Sequence, residues 1–196
     1  MADLLPLFVN LKGRRVLLVG GGRVAASKLA TLAATGADVT VVAPEVCDEV
    51  ARAGVRVVRR RFDVADLDGV WLVVAAAPSA VNRQVADLAE KRQVLVNAVD
   101  DPPNASVYLG GVVRRGGVTV AISTSGEAPG LAGLLREALD RVLPSDLGRW
   151  LDTARQERIA WKRDGVPMDA RRPMLLEALN RLYAEKTTGL ESPREA

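Results

Sequence analysis

The chain of 196 residues contains no histidine. This absence excludes catalytic triads, general bases and metal sites that depend on an imidazole. The single cysteine, Cys47, cannot form an internal disulfide and is consistent with a reducing compartment. Cys47 also has no further ligands at metal-binding spacing. We therefore interpret it as a small packed hydrophobe and predict no metal site.

Long apolar runs are missing as well. No stretch approaches the roughly 18 apolar residues of a transmembrane helix, and no charged-then-apolar leader opens the sequence. We expect a soluble, cytoplasmic protein without a membrane partner. The formal net charge is only +3, and the short basic runs Arg59–Arg61 and Arg114–Arg115 are typical of a solvated surface. No nucleic-acid partner is expected.

A glycine-rich turn between an apolar run and a helical pattern is the most informative stretch. Val16–Val19 is typical of a strand buried on both faces of a parallel sheet. Gly20, Gly22 and Ala25 follow at the spacing of the dinucleotide fingerprint, which allows a tight turn, a close pyrophosphate and a closely packed helix. The free N–H groups and the positive dipole end of the following helix are suited to phosphate. The alternative is a glycine turn that binds nothing.

The end of the second predicted strand, 38–43, bears on the choice of nucleotide. NAD-binding proteins carry an acidic residue near this point, about 20 residues after the fingerprint, for the ribose hydroxyls. Here the tip is Ala43-Pro44-Glu45, so the carboxylate comes slightly late, and no arginine for a 2′-phosphate stands in it. NAD is favoured over NADP. The fourth strand, 70–75, leads to Ala76 and Ala77, at the strand end where open α/β sheets bind ligands.

The pattern changes after a fifth strand, 94–97. Apolar runs 107–113 and 118–123 flank Arg114-Arg115-Gly116-Gly117, which indicates a hairpin. Helices are predicted over 79–91, with Ser79 as its cap, and over 130–143, 145–163 and 169–186. The predicted fold class is α/β: a Rossmann-like parallel sheet (1–110), a dimerisation hairpin and helix (111–144), a helical C-terminal region (145–186) and a disordered tail (187–196).

Several groups of residues, in order along the chain, resemble the N-terminal module of siroheme synthases. They are Leu5-Pro6-Leu7-Phe8 with Leu11, Val19-Gly20-Gly21-Gly22-Arg23-Val24-Ala25 with Lys28, Asn97-Ala98-Val99-Asp100-Asp101-Pro102 with Ala105-Ser106, and Ala121-Ile122-Ser123-Thr124-Ser125-Gly126 with Pro129 and Leu134-Leu135-Arg136-Glu137. The resemblance covers about 4–145. Members of this family are precorrin-2 dehydrogenases, and some are also sirohydrochlorin ferrochelatases.

The resemblance implies NAD-dependent oxidation of precorrin-2 to sirohydrochlorin by a homodimer whose hairpin unit exchanges contacts between subunits. It places the family's proposed general base on Asp100 and its nucleotide contacts on Arg23, Val24, Pro44 and Glu45. Ferrous iron is a second substrate in members that also insert the metal, and Asp100 could serve that step too.

The sequence departs from the family pattern at two points. A serine that is phosphorylated in some members aligns with Thr124, which puts that regulation in doubt here. Gly110 and Gly111 stand where bulkier residues are expected. The effect of these glycines on the substrate-binding surface is open.

The chemistry of dehydrogenation agrees with Asp100. NAD takes a hydride, so the protein must orient the substrate and accept a proton. Without histidine, a carboxylate is the natural base, but it needs desolvation or a neighbouring like charge to become a useful one. Asp101 is a candidate for that charge. A simple turn formed by Asp100-Asp101-Pro102 is the alternative interpretation.

An anionic tetrapyrrole requires hydrogen-bond donors and cations. The candidate substrate-binding residues are Asn104, Ser106, Ser123, Thr124, Ser125, Gly126 and Arg136. Of these, the loop before the helix at 130–143 is the strongest candidate, because a helix N-terminus holds an anion without a buried charge. The same hydroxyls could instead only cap the loop. Two other functions stay open: an NAD(H)-sensing regulatory module without catalysis, and an oxidoreductase for another anionic substrate.

Overall fold

The computed structural model describes residues 4–188, with side chains described as far as Tyr183. They form two compact units. The first comprises the described residues up to Gly110 together with Ser123–Leu131, and the second comprises Gly111–Ile122 and the described residues from Ala132 onwards. The segment Ser123–Leu131 thus belongs to the first unit, although the sequence suggested a single region over 111–144.

A five-stranded parallel sheet forms the first unit. The strands are β1 (Arg15–Val19), β2 (Asp38–Val42), β3 (Arg56–Val58), β4 (Leu72–Ala75) and β5 (Leu95–Ala98), in the order β3-β2-β1-β4-β5. Strands β1 to β3 are added toward one edge of the sheet, and β4 and β5 are added on the other side of β1. The strand order therefore reverses between β1 and β4, which are parallel and whose last residues, Val19 and Ala75, are paired. In open α/β sheets this reversal opens the crevice that binds ligands.

Helices cover both faces of this sheet. They are α1 (Arg23–Ala33), α2 (Asp48–Ala51) and α3 (Ser79–Lys91), with 3₁₀ turns at Val64–Leu67 and Pro102–Asn104. On one face Leu18 packs with Leu29 of α1, and on the other Leu17 packs with Val85 of α3. Because alternate side chains of one strand enter opposite cores, the strands are continuous apolar runs. The predicted α/β class is confirmed.

The second unit contains an antiparallel hairpin and helices. Strands β6 (Gly111–Arg115) and β7 (Val118–Ile122) are joined by Gly116-Gly117, both with positive φ, as a two-residue hairpin turn requires. The helices are α4 (Pro129–Val142), which begins in the first unit, α5 (Leu147–Arg163) and α6 (Met168–Thr188). Trp150 Nε1 donates a hydrogen bond of 2.7 Å to Tyr183 Oη and links α5 to α6.

Some local predictions need correction. The predicted span of α3 is confirmed, but its N-cap is Pro78 and Ser79 makes no capping bond. The predicted strand over 107–113 begins only at Gly111, because the N–H groups of Ser106 and Val107 instead bond the carbonyl of Val96 in β5. Beyond Thr188, where α6 ends, the predicted disordered tail lies outside the described residues.

Candidate dinucleotide and substrate site

Of the three glycines in the glycine loop, Gly22 leaves the space that a dinucleotide needs. A Cβ on Gly20 would fall on the carbonyl oxygen of Ala76, and one on Gly21 on that of Glu45, so the packing of the backbone itself requires both glycines. A Cβ on Gly22 would meet no atom within 4 Å. Open space lies at the position where the fingerprint brings a pyrophosphate against the backbone. The glycine loop therefore fits the pyrophosphate of the dinucleotide that the fingerprint implies.

The N-terminus of α1 is prepared for negative charge. Gly22 is its N-cap, no side chain caps it, and its first turn holds no acidic residue. Its first N–H groups therefore keep the positive end of the helix dipole. Arg23 adds a cation, whose charge helps to lower the pKa of Glu49 after hydrogen bonds from the Glu49 backbone and from the Cys47 side chain. Ala25 is fully buried, as close helix packing requires.

The tip of β2 lies against this loop. Gly20 N–H donates to the Val42 carbonyl at 3.0 Å, and Cys47 N–H donates to the Gly21 carbonyl at 2.7 Å. Pro44 and Glu45 are exposed, whereas Ala43 is buried. The predicted nucleotide contacts after β2 and those in the glycine loop therefore share one edge of the sheet. Cys47 packs partly buried against the core, in agreement with its interpretation as a hydrophobe.

Two buried asparagines hold the loops at this edge. Asn82 of α3, only 3% exposed, accepts a hydrogen bond of 2.9 Å from Ala77 N–H through its Oδ1. Asn97 of β5 donates from Nδ2 to the Val107 carbonyl at 2.9 Å. Sequence reasoning did not assign a role to either residue. The available signal was an amide on the apolar face of a predicted helix and another inside an apolar strand.

The predicted base lies in a left-handed turn directly after β5. Asp100 has φ +56° and is exposed, and its carboxylate has no hydrogen-bond or ion-pair partner within the described chain. The carboxylate of Asp101 instead accepts a hydrogen bond of 2.8 Å from Asn104 Nδ2. A non-glycine residue at such a φ costs about 1–2 kcal/mol, and such strain is frequent at functional sites. The turn exists, and it leaves one of its two carboxylates unengaged.

The loop Ser123–Gly126 packs on this turn within the first unit. A Cβ on Gly126 would lie 3.0 Å from Pro102 Cγ and 3.1 Å from Tyr108 Cε1. Tyr108 Oη in turn donates to the Pro102 carbonyl at 3.2 Å. The structure therefore brings together two stretches that the sequence separates by about twenty residues. Tyr108 was not among the predicted site residues.

The hydroxyls predicted to bind substrate already make local bonds. Ser123 Oγ accepts from Ser125 N–H at 3.1 Å, and Thr124 Oγ1 accepts from Ala128 N–H at 3.3 Å. Ser106 Oγ accepts from Val96 N–H at 2.9 Å and faces the carbonyl of the same residue at 3.4 Å. These hydroxyls therefore cap loops in the free chain.

Arg136 lies in the second unit, on α4. Its guanidinium pairs with the Glu137 carboxylate at 3.2 Å. Its Cβ packs beside Gly111, where an added Cβ would lie 3.3 Å away and 3.1 Å from the Ala132 carbonyl. The glycine at 111, a departure from the expected pattern, thus permits the close approach of β6 to α4.

Over the part of the chain that the structure describes, no three carboxylate or thiol side chains lie close enough together to hold a metal ion. None of the described helices combines the length and apolar character needed to cross a membrane.

The strand order, the glycine loop at the end of β1 and the uncapped N-terminus of α1 define a dinucleotide-binding protein of the Rossmann type. The sequence profile of a family described as putative NAD(P)-binding matches residues 7–111, more than half of the chain. The chain belongs to this family.

Curated relatives extend the similarity beyond this domain. The siroheme synthase of Photorhabdus laumondii is 44% identical over 187 residues, which is 93% of this chain and 40% of that protein. Siroheme synthase 1 of Cronobacter sakazakii is 47% identical over 157 residues, 78% of this chain and 33% of that protein. The chain thus spans 40% or less of the length of these two relatives. The predicted resemblance to siroheme synthases is confirmed.

One solved structure matches over nearly its whole length. It is described as SirC, precorrin-2 dehydrogenase, and aligns with a TM-score of 0.69 and 29% sequence identity. The alignment covers 89% of this chain and 88% of that one, so it includes residues of both units.

Proposed function

We propose that this chain catalyses the NAD-dependent dehydrogenation of precorrin-2 to sirohydrochlorin in siroheme biosynthesis. The observation that carries the proposal is the unengaged Asp100 carboxylate at the carboxyl edge of the sheet, in the unit that also holds the glycine loop. The alignment with a precorrin-2 dehydrogenase over most of both chains supports it.

The dinucleotide is held by the edge formed by β1, β2 and β4. The N–H groups at the start of α1 and the Arg23 guanidinium would hold the pyrophosphate beside Gly22. Val24 and the small residues Ala43, Ala76 and Ala77 line its path, and the Pro44-Glu45 tip takes the adenosine ribose, with the Glu45 carboxylate accepting from its hydroxyls. NAD, when bound, supplies the acceptor for a hydride.

Asp100 receives the proton. The reaction removes one hydride and one proton from the macrocycle; bound NAD would supply the hydride acceptor, and the protein must accept the proton. In the free chain the Asp100 carboxylate is exposed. A bound macrocycle covers it and replaces its water, which makes the carboxylate a stronger base. Asp101 stays bonded to Asn104 and keeps the turn in shape.

The substrate's carboxylates are bound by donors around this turn. The side chains of Ser123 and Thr124 use their oxygens as acceptors within the loop, so their O–H groups are available to donate. Backbone N–H groups of the Ser125-Gly126 turn and the amide of Asn104 complete the set within the first unit. The substrate contact predicted for Arg136, in the second unit, is a separate part of the proposal. Ser106 contributes by anchoring the loop to β5.

A homodimer is the second part of the proposal. The hairpin-and-helix unit leaves large apolar side chains exposed on α4, among them Leu134 at 66% and Val142 at 79%. A two-stranded hairpin is marginal by itself and needs a covering surface. A second copy of the same unit provides one.

Insertion of ferrous iron into sirohydrochlorin is the third part. The step must remove protons from pyrrole nitrogens, and the same Asp100 carboxylate would accept them once the ring covers it. Adding ferrous or cobaltous ion to the product of the first reaction tests this step by the absorption change of the metallated ring.

The deciding experiment incubates the full chain with precorrin-2 and NAD without oxygen and follows the absorption of the tetrapyrrole together with NADH. Asp100→Asn is the matched variant, because asparagine also tolerates the left-handed backbone. We expect Asp100→Asn to keep its stability and NAD affinity and to lose turnover by about 10²–10⁴-fold.

Two results would contradict the proposal. Absence of any absorption change with the unaltered chain removes precorrin-2 as the substrate. Unchanged turnover in Asp100→Asn removes the carboxylate as the base. Tight NAD binding without oxidation of precorrin-2 or another anionic substrate would favour the alternative, a regulatory module that senses NAD(H).

A further inference from the structure

Strand pairing brings Arg59 near the ribose end of the proposed dinucleotide site, although Arg59 is not close to the tip of β2 in the sequence. Val58, the last residue of β3, pairs with Val42, the last residue of β2. The Val58 carbonyl accepts hydrogen bonds from Ala43 N–H at 3.2 Å and from Arg60 N–H at 3.0 Å. The backbone of Arg59 is therefore fixed about one strand spacing, roughly 4.8 Å, from the tip of β2. An arginine side chain spans more than that distance.

The three consecutive arginines after β3 differ in what they contact. Arg60 is committed to the fold: its Nη1 and Nη2 donate to the two carboxylate oxygens of Asp66 at 2.8 and 2.6 Å, and Nη1 also donates to the Arg61 carbonyl. Arg59 is exposed, and no hydrogen bond or ion pair engages its guanidinium in the described chain. Its backbone lies beside Ala43, the residue that leads into Pro44 and Glu45.

We propose that Arg59 binds the 2′-phosphate of NADP, so that this site accepts NADP(H) as well as NAD(H). The inference rests on the proposed dinucleotide site and concerns its specificity. Rossmann-type sites that take NADP place an arginine near the tip of the second strand, where the ribose 2′ position lies. Here the neighbouring strand supplies that arginine. Its planar guanidinium can bind two phosphate oxygens at once.

The charge of Glu45 sets the balance at this end of the site. Its carboxylate is suited to the ribose hydroxyls of NAD and repels a 2′-phosphate. Arg59, on the adjacent strand end, offsets that repulsion. With both residues present the net effect of a 2′-phosphate on binding should be favourable, so the site takes NADP(H) as well as NAD(H), whereas a tip carrying Glu45 alone should exclude NADP.

A binding experiment that needs no tetrapyrrole tests this inference. The full chain is titrated calorimetrically with adenosine 2′,5′-bisphosphate and with 5′-AMP, which differ only in the 2′-phosphate. We expect the bisphosphate to bind about tenfold more tightly, as one charge-assisted contact provides. Arg59→Ala should reverse that preference, because Glu45 then repels the 2′-phosphate, and should leave the affinity for 5′-AMP unchanged. Arg59→Lys should retain part of the preference.

Arg61→Ala is the matched control, because it removes an equal charge two residues away and spares the contacts of Arg60. Equal affinities of the unaltered chain for the two nucleotides would overturn the inference, and so would an equal loss in Arg61→Ala and Arg59→Ala. Failure to bind either nucleotide would overturn the dinucleotide site as well. Intact nucleotide binding without oxidation of precorrin-2 would count against the proposed reaction alone.

Discussion

The two units of this chain bury their apolar residues to different extents. In the parallel sheet, Leu18, Val41 and Val73 are completely buried, because helices and turns cover both faces. In the hairpin-and-helix unit most residues of β6 and β7 are only partly buried, and large apolar side chains of α4 remain exposed. The comparison indicates that the sheet has a complete core within this chain. The second unit leaves apolar surface exposed, which the proposed dimer would bury.

The largest expected effects separate the glycines that the fold requires from the one that a ligand requires. Gly20→Ala places a methyl group on the Ala76 carbonyl at a φ of +125°, so the free energy of unfolding should fall by more than about 3 kcal/mol. Gly22→Ala should cost less than about 1 kcal/mol, because its Cβ enters open space. Denaturant unfolding measures both changes.

For NAD affinity, Gly22 and not Gly20 should be the more sensitive of the two glycines. Gly22→Ala should weaken binding at least tenfold, because the methyl group takes the space of the pyrophosphate. Normal NAD affinity in Gly22→Ala would mean that the open space beside this residue is not the nucleotide site.

A second pair of variants tests whether the sheet unit has a complete core while the hairpin-and-helix unit does not. Leu18→Ala removes a buried side chain and should lower the free energy of unfolding by about 3–4 kcal/mol at any protein concentration. Leu134→Lys changes an exposed residue of α4, so it should leave the unfolding of the sheet unit nearly unchanged.

The effect of Leu134→Lys should appear in the oligomeric state. Light scattering over a range of concentrations should show a dimer for the unaltered chain and a monomer for this variant. Gln156→Lys, which adds the same single charge to an exposed polar residue of α5, serves as a control. A monomeric unaltered chain would show that the exposed apolar surface of α4 is not a dimer interface.

The pH dependence of stability should be concentrated in the sheet unit. The Arg60 guanidinium, with help from the Asp63 N–H, holds the pKa of Asp66 below its usual range. Because the folded pKa lies below the unfolded one, this contribution is complete above about pH 4 and is lost as the pH falls further. Asp66→Asn should be less stable at neutral pH and should lose less stability on acidification. Identical acid unfolding profiles would contradict this assignment.

The smallest expected effect concerns Gln93, which like Asp100 is a non-glycine residue with a left-handed backbone. Gln93 has φ +56° just after α3, where its N–H and that of Val94 close the helix end. Glycine is preferred at this position, so Gln93→Gly should stabilise the chain by roughly 0.5–1 kcal/mol. The melting temperature should rise without any change in turnover. A fall in melting temperature would show that the Gln93 side chain makes a larger contribution than the strained backbone removes.

Much of the sheet unit could be predicted because its signals are local. Val16–Val19 and Val73–Ala75 are apolar without interruption since both faces are buried, and Gly20 follows at the turn that such a strand needs. The hairpin was harder to delimit. Arg114 and Arg115 were predicted to lie in the turn, whereas both belong to β6, because arginine on an exposed strand and arginine in a loop give the same sequence pattern.

The candidate site could be predicted only in part. Asp100 was identified from a motif, but its exposure and the bond that occupies Asp101 depend on the turn that Asn104 closes. Tyr108 and Asn82 escaped prediction because they act on backbone groups of other segments. The roles assigned to the predicted site residues remain predictions for the experiments above.

The sequence by itself determined the class of fold and the location of the phosphate-binding turn, since strand burial, helix periodicity and glycine spacing are properties of neighbouring residues. Only the tertiary structure decided which charges stand at the ribose end. The strand pairing sets Arg59 beside Ala43, sixteen residues before it in the chain. The physical reason is that hydrogen bonding between β2 and β3, and not separation along the chain, determines which side chains share the edge of a sheet.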